Sequence, residues 1–359
     1  MLFFSIFMKL HHIIPIALAV CSSAFASGWQ PDTLFPDYET RTVDQGTDYD
    51  GAVRSTIIRK LAQCPGSRRG VLYIHGYNDY FLQDDMGRRF ADSCYNFYAV
   101  DLRRYGRSLR PGDPRFDIRD MREYFPDIDS AIIDMKRHGI DSIVLMGHST
   151  GGLTTSLYMN EHPDTAIRAL VLNSPFLDWN QSKVQEKVLI PAMQCIGRWW
   201  PRLTAMPGKS AAYAPTGSTR TEDDTWTIDN DWKPVEWPAI NAGWIRAVDS
   251  AHDAVQNHSD IRVPILLMHS DRTYRNGDSA SLRDSSDTVL DVDDISHYGR
   301  RLGPDVTEAT VKGGTHDLVR SASGIREATY RTIFSWLDRK INDNKPTINQ
   351  GWRMRFNYP

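Results

Sequence analysis

The stretch LMGHSTGGLTTSLYM, residues 145–159, changes character at its third position. The apolar run Ile143 to Met146 reads as a buried strand and stops at Gly147. Ser149 follows two residues later, then Gly151 and Gly152, then a helix-forming segment. A small polar residue fenced by glycines between a strand and a helix has a steric explanation. The serine occupies a strained turn that lifts its hydroxyl above the sheet, and side chains two residues before and after it would crowd each other. The start of the following helix also favours developing negative charge. Gly147-His148-Ser149-Thr150-Gly151 therefore matches the G-x-S-x-G nucleophile turn, in the strand–turn–helix setting that gives the motif its meaning. Ser149 is the candidate nucleophile. A glycine-rich structural turn is the competing explanation.

Working outward, strand and helix signals alternate. VLYIHG (71–76), NFYAVDL (96–102), DSIVLMG (141–147) and RALVLNSP (168–175) read as strands. FLQDDMGRRFADS (81–93) and DIDSAIIDMKRHG (127–139) read as helices, the second with acidic residues at its start and glycine at its end. Upstream, 39–63 reads as one or two antiparallel edge strands. This succession predicts a mostly parallel sheet covered on both faces. The rhythm breaks over 176–260, which holds Trp199, Trp200, Trp226, Trp232, Trp237 and Trp244 and reads as an inserted, mainly helical cap. Strands resume at RVPILLMHS (262–270) and DVTEATVKGG (305–314), and a helix over 324–341 closes the core. The organisation expected is a core of 27–175 and 261–341, a cap between them, and a polar tail of 342–359.

A nucleophilic serine needs a base, and VKGGTHDLV (311–319) places His316 in a glycine turn after the last strand. The order nucleophile, acid, histidine along the chain suits this type of core. Two residues compete for the acid. Asp271 directly follows the strand that ends near His269. Asp287 lies in SDTVLDV (286–292), similar to the D-x-V-V stretch that often carries the acid, and is the favoured candidate. The backbone N–H groups of Tyr77, in the loop HGYNDYF (75–81), and of Thr150 are the candidate oxyanion donors. Asp101 and Gly106, in VDLRRYGRS (100–108), read as structural.

The formal net charge of -3 and the lack of a long basic run argue against a nucleic-acid partner. Lys9, His11 and His12, the apolar IIPIALAV (13–20) and AFA (24–26) have the layout of a secretory signal peptide over 1–26, with an uncleaved membrane anchor as the alternative. The chain is therefore expected to be exported, periplasmic or secreted, where disulfides persist. Cys64 and Cys94 each shortly precede a strand. If those strands are parallel neighbours, both cysteines sit near the same end of the sheet and a Cys64–Cys94 bridge is expected, with two buried thiols as the alternative. Cys195 is left over and reads as a small buried residue.

These motifs resemble those of the α/β-hydrolases, in the branch of lysophospholipases and monoacylglycerol lipases that is sometimes grouped with serine aminopeptidases. The matches are His75-Gly76, Asp101-Leu102-Arg103 with Gly106-Arg107-Ser108, the turn around Ser149 through Gly152, Asp287 and His316. The resemblance implies a Ser149-Asp287-His316 triad, needing no cofactor or metal, that cleaves a small-molecule or lipid ester: a lysophospholipid, a monoacylglycerol or a simple acyl ester. It leaves room for transient membrane-surface contact through the cap. The loop YNDYF departs from the glycine-rich, acidic run of the lipases. Two other readings compete. An aminopeptidase or amidase would need a carboxylate for the substrate amine, for which Glu222, Asp223, Asp224 and Glu236 are present. A binding protein on an inactive hydrolase scaffold is the other.

Overall fold

The computed structural model describes residues 28–181, 184–208 and 226–342. The expected leader at 1–26, the tail beyond 342 and the acids Glu222, Asp223 and Asp224 lie outside the described residues.

The chain begins with β1 (Gln30–Pro31), β2 (Glu39–Asp48), β3 (Gly51–Lys60) and β4 (Arg69–Ile74). Helix α1 (Asp84–Asp92), β5 (Asn96–Asp101), α2 (Phe125–Arg137), β6 (Ser142–His148), α3 (Thr150–Glu161) and β7 (Ile167–Asn173) follow. A two-stranded sheet of β8 (Thr204–Met206) and β9 (Ile240–Asn241) lies in the insert, with α4 (Ile190–Gly197) before it and α5 (Ala242–His258) after it. The second half of the core holds β10 (Ile265–Ser270), α6 (Val292–Gly299), β11 (Val306–Val311) and α7 (Ser323–Leu337). Among the described residues, nine strands form the main sheet in the order β1-β2-β3-β5-β4-β6-β7-β10-β11. It is parallel from β5 to β11 and antiparallel from β1 to β5. This is the expected α/β architecture.

The near-continuous apolar runs of the central strands are explained by burial on both faces. Side chains alternate across each strand. Leu72 and Ile74 of β4 join a buried cluster with Ile128 and Ile132 of α2, Leu153 and Leu157 of α3, and Val248 of α5. Val71 and Tyr73 join the opposite cluster with Met86 and Phe90 of α1 and Ile333 and Trp336 of α7. Helix α2 starts with Pro126 in its first turn and ends before Gly139, at φ 84°.

Strand order places the site. The chain leaves β4 for β5 on one side and leaves β6 for β7 on the other, so a crevice opens beyond the carboxyl ends of β4 and β6. Register pairs Ile74 with Gly147, which brings the loop after β4 next to Ser149.

Three details of the insert differ from the sequence reading. The β8–β9 pair has no alternation signal, because each strand is only two or three residues long. Helix α5 belongs with the core on packing, since Ile245, Val248, Ala251 and Val255 share the cluster of Leu72 and Leu145. Cys195 is exposed rather than buried, because α4 buries only Ile190 and Gly197.

Cys64 and Cys94 are bonded, with Cα atoms 5.4 Å apart, where the neighbouring strands β4 and β5 begin. The bridge spans a sequence separation of 30 and should stabilise the fold by about 3–4 kcal/mol through loop entropy. A Cys64→Ser/Cys94→Ser variant is expected to lose stability of that order in urea unfolding. An unchanged midpoint would refute the contribution.

Candidate active site

Ser149 sits between β6 and α3 with φ 54° and ψ −121°. A non-glycine residue holds this left-handed conformation only where its surroundings impose it. Here the surroundings are backbone. A Cβ on Gly147 would lie 2.5 Å from the Gly151 carbonyl oxygen, and one on Gly151 would run into the carbonyl oxygens of Ile74 and His75. A Cβ on Gly152 would meet Pro175 at 2.7 Å. None of these three glycines has a positive φ, so closeness of approach rather than backbone freedom requires them.

The His316 Nε2 atom lies 3.0 Å from Ser149 Oγ, and its Nδ1 lies 2.9 Å from Asp287 Oδ2. The turn before it is built on Gly313, at φ 72°, and Gly314. Asp287 is fully buried, and its Oδ1 accepts the N–H groups of Val289 and Leu290, both at 2.8 Å. Burial pushes this carboxyl up, but the charge and hydrogen bond of His316, with the two amides, outweigh it and hold the carboxyl below its ordinary range. An ionised Asp287 accepts a hydrogen bond from Nδ1–H, which keeps the proton on Nδ1 and leaves Nε2 free to accept from the serine hydroxyl.

Asp271, the competing acid, is exposed and elsewhere engaged. Its Oδ1 accepts the Gly313 N–H at 2.8 Å, so it braces the turn that carries His316. The chain departs after β10, returns, and pairs Thr273 with Asp287 in a parallel bridge. The Asp287 N–H donates to the Arg272 carbonyl and the Tyr274 N–H to the Asp287 carbonyl, each at 2.8 Å.

Tyr77 and Thr150 both line the cavity in front of Ser149. Thr150 is the first residue of α3, where N–H groups lack intrahelical acceptors. Gly76 backs closely onto Ser149, since a Cβ on Gly76 would lie 3.0 Å from that of Ser149, and Tyr77 follows it in the loop. Asp101 is structural, as expected. Buried in the sheet, it accepts from the Phe81 and Arg107 backbones, and the Arg107 side chain bridges it to Asp32.

Behind the histidine lies a polar network that sequence patterns did not reveal. Asp317 is buried and accepts from Asn173 at 2.8 Å and Gln83 at 3.0 Å. Burial raises its carboxyl, yet the charges of His148 and Arg320 and these two hydrogen bonds bring it below the usual range. The His148 ring packs against that of His316 with centroids 4.9 Å apart. Burial, opposed by Asp317 and reinforced by the His316 charge, lowers the affinity of His148 for a proton. Only the adjacency of Asp317 to His316 in the chain hinted at this network.

The cavity measures about 460 Å³. Its apolar wall includes Phe176, Trp179, Met206, Trp237, Ile240 and Trp244. The tryptophans of the insert thus divide. Trp237 and Trp244 face the cavity, Trp226 and Trp232 pack near Tyr80, and Trp199 and Trp200 are 69% and 66% exposed. Among the described residues no group of His, Cys, Asp and Glu is arranged to hold a metal ion.

The fold, the turn and the Ser-His-Asp geometry define a serine hydrolase of the α/β type. Residues 66–320 match the family model described as serine aminopeptidase, S33, and the chain belongs to that family. It is 29% identical over 205 residues to a phospholipase of Bacillus subtilis, YtpA, an alignment covering 56% of this chain and 74% of that protein. It is 31% identical over 114 residues to the probable lysophospholipase BODYGUARD 2 of Arabidopsis thaliana, covering 30% of this chain and 23% of that one. Among solved structures, the monoacylglycerol lipase of Paleococcus ferrophilus shares the fold with a TM-score of 0.58 at 20% identity, over 84% of this chain and 99% of that chain. A monoglyceride lipase variant of Saccharomyces cerevisiae superposes with a TM-score of 0.59 at 14% identity, over 84% and 96%.

If Asp287 orients His316, Asp287→Asn should lower kcat by about 10³- to 10⁴-fold while Asp271→Asn stays close to wild type. Steady-state hydrolysis of an activated ester checks this, and the reverse pattern would assign the acid to Asp271. The lowered Asp287 carboxyl also has a pH signature. Its stabilising contribution is present above the unfolded carboxylate pKa, about 3.9, and disappears as pH falls through the lower folded value. Asp287→Asn should flatten that part of the acid-unfolding curve.

Proposed function

We propose that this protein is a carboxylic-ester hydrolase for acyl esters of the monoacylglycerol or lysophospholipid kind, with Ser149, His316 and Asp287 as its triad. The observation that carries the reading is the cavity before Ser149, whose aromatic and aliphatic wall suits an acyl chain. Relatives named as a phospholipase and a probable lysophospholipase support it.

In this reading His316 Nε2 takes the Ser149 proton as Oγ attacks the ester carbonyl, and Asp287 steadies the imidazolium that forms. The Tyr77 and Thr150 N–H groups receive the oxyanion. His316 then protonates the departing alkoxide, and a water activated by the same nitrogen hydrolyses the acyl-enzyme. The insert within 176–260 serves as the cap over this site.

The family description itself favours a second reading, aminopeptidase action. An N-terminal ammonium would need a free carboxylate in the cavity. The acids among the described lining residues are Asp79 and Asp317. Asp79 is paired with Lys233 at 2.7 Å, and Asp317 is engaged by Asn173 and Gln83. The ester reading is therefore the stronger.

We also place the cap at a lipid surface. Val184, Val188, Trp199, Trp200 and Leu203 are exposed together over 184–203, with Lys187, Arg198 and Arg202 among them. Such a patch suits an anionic interface. The disulfide supports the exported location, where it would persist.

Ser149→Ala should lower kcat by about 10⁴- to 10⁶-fold; residual activity within tenfold of wild type would remove Ser149 from this role. In a C2 to C16 ester series below micelle-forming concentrations, kcat/KM should rise roughly fourfold per methylene, from about 0.8 kcal/mol of burial each, then fall when the slot is full. A flat profile with efficient cleavage of aminoacyl amides would favour the peptidase reading. Trp199→Ala/Trp200→Ala should weaken sedimentation with anionic phospholipid vesicles without altering hydrolysis of a soluble short-chain ester.

A further inference from the structure

The loop after β4 is the place where the chain departs from the lipase-like pattern. Among the described residues, Tyr77, Asn78, Asp79 and Tyr80 make no backbone–backbone hydrogen bond. Asn78 stands at φ 50°, in the left-handed region that asparagine tolerates better than other non-glycine residues. Something other than the loop's own backbone fixes the Tyr77 amide.

One piece of the insert, residues 229–237, touches each of the four in turn, beside the contacts of the Tyr77 ring with Trp244 and Phe116 at 4.7 and 5.1 Å. The Asn78 side-chain amide donates to the Pro234 carbonyl at 3.2 Å. Lys233 Nζ donates to Asp79 Oδ1 at 2.7 Å, with both residues buried. The Asp229 N–H donates to the Tyr80 hydroxyl at 2.7 Å, and the Tyr80 and Trp232 rings meet edge to face at 5.4 Å. The Tyr77 and Trp237 rings lie 5.9 Å apart. The arm is itself braced, since Asp229 Oδ1 accepts the N–H groups of Asp231 and Trp232 at 2.8 and 3.2 Å.

We propose that residues 229–237 are a clamp that sets the oxyanion loop, with Lys233 and Asp79 as its positioning pair. Lys233 acts through Asp79 on the Tyr77 amide. In consequence, the insert that shapes the acyl pocket also completes the catalytic geometry. This rests on the reading above that the Tyr77 N–H is an oxyanion donor. A buried pair suits the task, because loss of either partner leaves the other charge buried and unmatched, so the loop cannot relax without cost.

The test compares Lys233→Met, Asp79→Asn and the double variant with wild type. The readouts are kcat and KM for a p-nitrophenyl ester, the rate of Ser149 phosphonylation by a fluorophosphonate, and thermal midpoint. Displacing one oxyanion donor should lower kcat and the phosphonylation rate by about 10²-fold in each single variant, with KM within about threefold. In the double variant both charges are gone, so the thermal midpoint should return towards wild type while kcat stays low. Recovery of kcat together with the midpoint would reduce the pair to a stability role and overturn the clamp. So would equal phosphonylation rates in all four proteins. A wild type that is not labelled at Ser149 would overturn the hydrolase reading itself, and the clamp with it.

Discussion

The carbonyl oxygens of Ile74 and His75 stand where a side chain at position 151 would begin. This approach of α3 to the end of β4 is the constraint on which the rest of the site depends. It lets the helix start one residue after Ser149, keeps Ser149 in its strained conformation, and brings the Gly76–Tyr77 peptide alongside. If α3 stood off by the width of a methyl group, the 3.0 Å contact from Ser149 to His316 would open. Misplacement of about 1 Å can cost on the order of 10²-fold in rate. The glycines at 147 and 151 thus set distance rather than flexibility.

The acid and base reach the serine by longer routes, and each is held from behind. Asp287 is fixed by two amides and by a backbone bridge to the segment after β10. His316 sits on a turn braced by Asp271, and next to it Asp317 ties the same turn to Asn173 at the end of β7 and to Gln83 before α1. Satisfied buried polar groups of this kind rigidify their surroundings, and a single missing partner would leave a costly buried charge.

Much of this was legible in the residues. The central strands announced themselves as apolar runs, and α2 by its acidic start and glycine end. Ser149 and His316 were marked by glycine turns placed after strands. Asp287 was favoured over Asp271 by its setting, though Asp271 is nearer the strand end; the structure puts Asp287 against His316 and Asp271 against Gly313. What remained hidden depends on contacts between distant segments. Nothing local in Lys233 or Asp79 points to their pairing across 154 positions. The β8–β9 ladder is too short to alternate, and the exposure of Cys195 follows from which side of α4 meets the protein. Tryptophan count alone could not separate those lining the cavity from those turned to solvent.

The bridge between Thr273 and Asp287, just beyond the end of β10, closes the intervening chain into an excursion whose two ends are tied to each other. Tyr274, Asn276 and Arg283 of this excursion line the cavity, while Asp287 is held from below. The acid's location is thereby uncoupled from the length and composition of the segment that precedes it. The residues that shape one wall of the cavity and the carboxylate that orients His316 thus belong to one loop but are held by different contacts.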